Sequence, residues 1–233
     1  VRVGIAAGGF DGWFVPAERP AGVAVLLLAE MFGVTPAMQG SAAGFAAAGY
    51  PALAPNLFWR SRHPGVLAYE GPERQLAWER LQGFDAALAM ADIGAAVDWL
   101  RARTGGLPVV AVGHCMGGRL AAQAAARLGL AGAASFYGLG LAADAEDFAA
   151  LRCPVQLHYG LADEHVPASE IAAVRQLVSD NAWVTLHGYP GAGHSFCNPA
   201  RPMFDAVQAA QVQARTLELL AGVASPAAAG HAP

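Results

Sequence analysis

Apolar residues in this chain collect in short unbroken runs rather than in alternating stretches. Val23 to Leu28 is an uninterrupted aliphatic run. A strand with one wet face alternates apolar and polar side chains, so a run without alternation predicts a strand covered on both faces. Leu107 to Val112, Ala131 to Phe136, Val155 to Tyr159 and Ala182 to His187 read in the same way, and Gly49 to Pro55 holds a further short strand. The first residues also read as part of a strand. Between these runs the pattern turns helical: Pro36 to Ala48 despite Gly40 and Gly44, Glu73 to Arg103 up to the stop at Gly105-Gly106, Leu120 to Ala126, Ala168 to Val178, and Phe204 to Leu220. Strands alternating with helices imply a mostly parallel central sheet with helices on both faces.

Neither a linker nor an internal repeat divides the 233 residues, so one α/β domain over residues 1–220, without a large lid domain, is expected. Residues 221–233, mostly Ala, Gly and Pro, read as a frayed, flexible tail. The segment 56–72 is polar, aromatic and interrupted by prolines. It is long for a plain connection, which makes it a candidate pocket wall.

Charge narrows the classes of partner. The chain carries 14 Lys+Arg, all of them arginine, against 18 Asp+Glu, a formal net charge of -4. No basic block offers a footprint for a phosphate backbone, so no nucleic-acid partner is expected. The longest strongly apolar run, Val23 to Ala29, is too short to span a bilayer, and no membrane association is expected. The opening residues show no basic stretch followed by an apolar core and a cleavage site, so no secretory leader is expected. Cys115, Cys153 and Cys197 fit neither a disulfide scaffold nor a metal site, and a cytoplasmic location is the simpler reading. No histidine–carboxylate cluster has metal-ligand spacing, so neither metal nor cofactor is implied.

Candidate chemistry begins where the run at Val112 ends. Gly113-His114-Cys115-Met116-Gly117 is a G-x-nucleophile-x-G turn with sulfur in place of the usual hydroxyl. A nucleophile there sits at the C-terminal edge of a strand, under the unpaired amides of the following helix, which favour a thiolate. Two later strands end in complementary groups. Asp163 follows Val155 to Tyr159, and His194 follows Ala182 to His187 in a glycine-rich loop. The order Cys115, Asp163, His194 is the nucleophile–acid–histidine order of α/β hydrolases. His194 is expected to take the thiol proton and pass it to the leaving group, and Asp163 to hold the imidazole tautomer.

Glu30 follows the first aliphatic run on the same sheet edge, which suggests a partly enclosed acid near the thiol. The Met31 and Met116 amides are the candidate oxyanion donors. His165 reads as a wall residue, Glu164 as a less well placed alternative acid, and His158 and His187 as structural. Cys153 and Cys197 lack any comparable turn.

The segments "AEMFGV" at 29–34, "GYPALAPNLF" at 49–58, "GHCMGG" at 113–118, "YGLADEHVP" at 159–167 and "GAGHSF" at 191–196 resemble the dienelactone hydrolase (carboxymethylenebutenolidase) family over nearly the whole chain. The resemblance implies an α/β-hydrolase fold. It also implies Cys115, Asp163 and His194 opening an enol-lactone, usually a dienelactone from catechol or chlorocatechol breakdown, to give maleylacetate. The family's glutamate falls on Glu30, where the resemblance implies help in forming the thiolate only when substrate is present. Of the family's two carboxylate-binding arginines, the first matches Arg74. The second falls on Asn198, a departure, with Arg201 three residues on.

The expected partner is thus a small lactone or an activated ester, and the expected state a monomer, with a dimer left open. A broader cysteine carboxylesterase or thioesterase shares the same triad. A redox thiol protein is disfavoured, because neither other cysteine has a C-x-x-C relation to Cys115.

Overall fold

A computed structural model describes residues 1–5 and 9–225. Its single sheet of eight strands runs in the order β1 (Arg2–Ile5), β2 (Phe10–Val15), β4 (Ala52–Pro55), β3 (Ala24–Leu28), β5 (Val109–His114), β6 (Gly132–Phe136), β7 (Val155–Gly160), β8 (Val184–Tyr189). From β4 to β8 the pairing is parallel, and β1 and β2 add an antiparallel hairpin at one edge.

The helices are α1 (Pro36–Ala47), α2 (Pro72–Gln82), α3 (Ala86–Arg103), α4 (Met116–Arg127), α5 (Ala145–Ala150), α6 (Ala168–Leu177) and α7 (Ala206–Ala224). Among the described residues, none is long and apolar enough to cross a membrane.

The unbroken runs have the expected cause. Val25, Leu27, Val110 and Val112 pack with Met38 and Phe45 of α1 and with Val212 and Leu220 of α7. Their neighbours Leu26, Leu28, Val109 and Ala111 pack on the other face with Ile93 and Val97 of α3, Leu120 of α4 and Val174 of α6. Successive side chains of a strand point to opposite faces, so two helical layers require every position to be apolar.

Several boundaries depart from the sequence reading. The helical stretch 73–103 is two helices, because Gly83 closes α2 and the Asp85 side chain caps α3, accepting from the Ala87 and Leu88 amides at 2.9 and 3.0 Å. Helix α4 starts at Met116, four residues before the predicted Leu120, because Cys115 is already its cap. Strand β2 and the short α5 are additions to the expected elements. The alternation Phe10, Gly12, Phe14 is the pattern of a strand covered on one face, and α5 is too short to show a period. The last helix continues to Ala224, and the rest of the expected tail, from residue 226, lies outside the described residues.

The glycines of α1 and of the turn after β5 predict opposite outcomes. Gly40 and Gly44 are exposed helix positions with open space where a methyl group would go, so Gly40→Ala and Gly44→Ala each raise unfolding stability by about 0.5–1 kcal/mol. A methyl on Gly113 would run into the Gly117 carbonyl, and Gly113→Ala loses about 3 kcal/mol or more. Urea unfolding of the three variants checks both signs.

Candidate active site

The turn from β5 into α4 brings Cys115 to the C-terminal edge of the sheet with φ 58° and ψ −123°, a strained backbone for a residue with a side chain. Two close approaches shape this turn. Gly113 lies against the Gly117 peptide, and Gly117 lies against the carbonyls of Leu28 and Ala29, the latter 2.7 Å from where a Cβ would stand. The start of α4 is thereby pressed onto the end of β3, next to Glu30 and Met31. Neither the Met31 nor the Met116 amide donates a hydrogen bond among the described residues, so both are free to meet a developing oxyanion. Cys115 is 7% exposed.

The loops after β7 and β8 are joined to each other. Leu161 donates to the Tyr189 carbonyl and Ala162 to the Ala192 carbonyl, both at 2.9 Å, and Gly160 has room for no side chain against the Ala192 peptide. This pairing holds Asp163 beside His194, with Nδ1 of His194 2.8 Å from Oδ2 of Asp163. The second oxygen of Asp163 accepts from the His165 and Val166 amides at 2.8 and 3.2 Å, so the carboxylate cannot rotate away.

Burial disfavours charge on His194, yet its hydrogen bonds to Asp163 and to the Cys115 sulfur outweigh this and hold the imidazole pKa up at about 10. Tyr137 and His165 meet the imidazole edge to face at 5.0 and 4.8 Å. The His165 ring thus packs on His194, while its backbone amide donates to Asp163.

Glu30 is 3% exposed and sits in a polar network that sequence reasoning did not reach. It accepts from the Tyr137 hydroxyl at 3.3 Å and from the Asn198 amide at 3.2 Å. The Asn198 amide also reaches the Tyr69 hydroxyl at 3.0 Å, and that hydroxyl lies 2.8 Å from Oγ1 of Thr35. Tyr137 is in turn 2.7 Å from Nδ1 of His114, which burial keeps neutral by pulling its pKa down to about 4.

Burial raises the Glu30 pKa, against the opposing charges of His194 and Arg201 and the hydrogen bond from Asn198. Cys115, Tyr137 and Ser195 are the non-glycine residues with positive φ among those described, and all three belong to this region. Such strain gathers where surrounding contacts over-determine the backbone. The one sequence signal for Tyr137 is its place directly after strand β6.

Of the three residues carried over for carboxylate binding, Asn198 and Arg201 lie together against Tyr69 and Arg74 stands apart. Asn198 is buried with its amide committed to Glu30 and Tyr69. Arg201 is half-buried beside it, with its guanidinium 5.4 and 5.1 Å from the Phe32 and Tyr69 ring centres and Nη1 3.4 Å from the Tyr69 carbonyl. Arg74 is exposed on the first turn of α2, near enough for its charge to act on His165.

The 56–72 segment serves two places. Tyr69 joins the Glu30 network, while Leu57, Phe58 and residues 60–63 line a separate cavity of about 470 Å³ against α2 and α3. All three cysteines are free, and burial pushes the Cys153 and Cys197 thiols up. Among the described residues, no group of three or more His, Cys, Asp or Glu side chains is placed to hold a metal ion.

The sequence profile of the dienelactone hydrolase family matches residues 10–224. Carboxymethylenebutenolidase 1 of Cupriavidus pinatubonensis is 32% identical over 208 residues, 87% of each chain. The carboxymethylenebutenolidase of Pseudomonas putida is 32% identical over 213 residues, 90% of this chain and 89% of its own. A crystal structure from Klebsiella pneumoniae, described provisionally as a dienelactone hydrolase, superposes with a TM-score of 0.83 at 26% identity and covers 95% of this chain and 97% of its own. With a mostly parallel sheet, a strained cysteine turn and a histidine–aspartate pair on one edge, the chain belongs to the dienelactone hydrolase family and is a carboxylic ester hydrolase of the α/β-hydrolase fold.

Proposed function

We propose that the protein opens a small anionic enol-lactone, converting a dienelactone to maleylacetate, through an acyl-thioester on Cys115. The observation that carries this reading is the convergence at one sheet edge of Cys115, the His194–Asp163 pair and two undonated amides. The Cys115 thiolate attacks the lactone carbonyl while the Met31 and Met116 amides receive the oxyanion. Collapse breaks the ring C–O bond and expels an enolate, which takes a proton from His194. Water, deprotonated by His194, then cleaves the thioester and restores the thiol system. Asp163 fixes the imidazole tautomer throughout.

An enolate leaves readily, so sulfur suits this substrate better than it suits an unactivated alkyl ester. Glu30 is the proposed acceptor of the thiol proton during activation, in line with its raised affinity for a proton.

One observation favours a broader specificity. Asn198 is neutral and occupied, so the charge available for a substrate carboxylate comes from Arg201 and Arg74. A cysteine carboxylesterase or thioesterase acting on activated esters is therefore the second reading. Soluble cytoplasmic monomers acting on a freely diffusing substrate complete the proposal.

Cys115→Ala abolishes turnover in a folded protein, and Cys115→Ser lowers it strongly. Rapid-quench mass spectrometry of the wild type finds one substrate acyl group on Cys115, and near-normal turnover of the alanine variant would reject the mechanism.

Charge discrimination separates the two readings. Arg201→Ala or Arg74→Ala lowers kcat/KM for an anionic dienelactone roughly ten- to hundredfold relative to a neutral ester of the same ring, the value of one charge-assisted hydrogen bond. An unchanged ratio in both variants moves the assignment to the broader esterase.

The His194 pKa sets a pH dependence of defined sign. Its folded value of about 10 lies above the ordinary 6.5, so its stabilising contribution is complete below the ordinary value and disappears as pH rises through the folded one. The stability difference between wild type and His194→Gln, from urea unfolding at a series of pH values, accordingly shrinks on the alkaline side. A difference that grows with pH would show that the imidazole is held neutral.

A further inference from the structure

Arg80 projects from α2 into the protein and is 4% exposed. Among the described residues, no carboxylate pairs with it. Nη1 donates to the His63 and Gly65 carbonyls, both at 2.8 Å, and Nη2 donates to the Met31 carbonyl. Its guanidinium lies over the Phe58 ring, 4.0 Å from the centre.

A buried cation without a counter-ion is costly, and desolvation pulls the Arg80 pKa down to about 10, which still leaves it charged at neutral pH. A merely space-filling role calls for an aliphatic side chain. Arg80 instead collects carbonyls from two separate segments, and only a planar group with several fixed donors can do this at one point.

The segment it grips matters for the chemistry. The turn at 30–33 carries both the Glu30 carboxyl and the Met31 amide. Gly33 closes that turn by donating to the Glu30 carbonyl at 3.0 Å, with a φ of 82° that glycine adopts without strain, and Nη2 of Arg80 lies against it. Leu67 donates to the Phe32 carbonyl at 3.1 Å, tying the turn again to the loop that Arg80 holds. On the opposite side the turn follows directly from Leu28 and Ala29, against which Gly117 of the nucleophile turn packs. The Met31 amide has no partner of its own, so its direction depends on what fixes its neighbours.

We propose that Arg80 is a positioning residue that aims the Met31 amide at the reacting carbonyl by holding the Met31 carbonyl from behind. The proposal rests on the reading of Cys115 as nucleophile and of Met31 as an oxyanion donor. Its unpaired positive charge also has the sign that favours a developing oxyanion.

The test exploits two reactions of one cysteine. Hydrolysis of p-nitrophenyl acetate needs both the thiolate and the oxyanion donors, whereas alkylation by iodoacetamide needs the thiolate alone. In Arg80→Met, kcat for the ester falls about 10- to 100-fold while KM and the Cys115 alkylation rate stay within about twofold. Arg80→Lys, which keeps the charge but cannot reach every carbonyl, falls between the two. Unchanged kcat in folded Arg80→Met overturns the proposal, and so does an alkylation rate that drops in parallel with kcat.

If Arg80→Met does not fold, Arg80→Lys decides by the same pair of rates: a selective loss of kcat supports the proposal, and no loss or a parallel loss overturns it. Alkylation of wild-type Cys115 that leaves turnover intact would instead reject the nucleophile assignment, separately from any role of Arg80.

Discussion

Where β5 turns into α4, three stretches of backbone approach one another more closely than any side chain would permit. Gly113 meets the Gly117 peptide, and Gly117 meets the carbonyls that end β3. This contact forces Cys115 into its left-handed backbone and starts a helix immediately beneath its sulfur. It also sets the distance between the nucleophile and the turn that carries Glu30 and Met31. The double-sided apolar sheet makes such strain tolerable, because the strands on either side of β5 are fully buried and cannot relax outward.

Electrostatics around that turn are organised by burial as much as by charge. His194 stays protonated in a largely enclosed site because Asp163, itself locked by two backbone amides, and the Cys115 sulfur both favour the imidazolium. Glu30 is moved toward its neutral form by the loss of water around it. A carboxyl and an imidazole that both hold a proton more tightly than usual thus flank one site, for different reasons. Raised proton affinities of this kind suit the passing of protons during a thiol reaction.

The replacement at Asn198 changes what this edge of the site can recognise. An amide bridges Glu30 and Tyr69 with two hydrogen bonds but brings no charge. Arg201 lies nearby over the Phe32 and Tyr69 rings, its charge acting on Glu30 from a different point of the same loop. On the proposed reading, the acid and the residue that would meet a substrate carboxylate are therefore separate, with Glu30 held by Asn198 and the positive charge carried by Arg201.

The sequence alone determined the parallel sheet and the order of its elements, since unbroken apolar runs and their glycine stops are local signals. Cys115, Asp163 and His194 were legible for the same reason: each lies in the turn or loop that follows a strand, and parallel strands deliver such residues to one edge. Helix ends were less legible, because a cap such as Asp85 competes with the apparent continuity of flanking helical residues. The enclosure of Glu30 near the thiol could be read from its place after a strand, but its hydrogen-bond partners could not. Its partners Tyr137 and Asn198 are 107 and 168 positions away, and Arg80 reaches Met31 across 49. Polar side chains of this kind carry no periodicity, and a buried arginine looks like a solvated one until the fold removes its water. Only the tertiary structure decided which of them would meet, because their pairing is enforced by packing around them rather than by any preference written in the local chain.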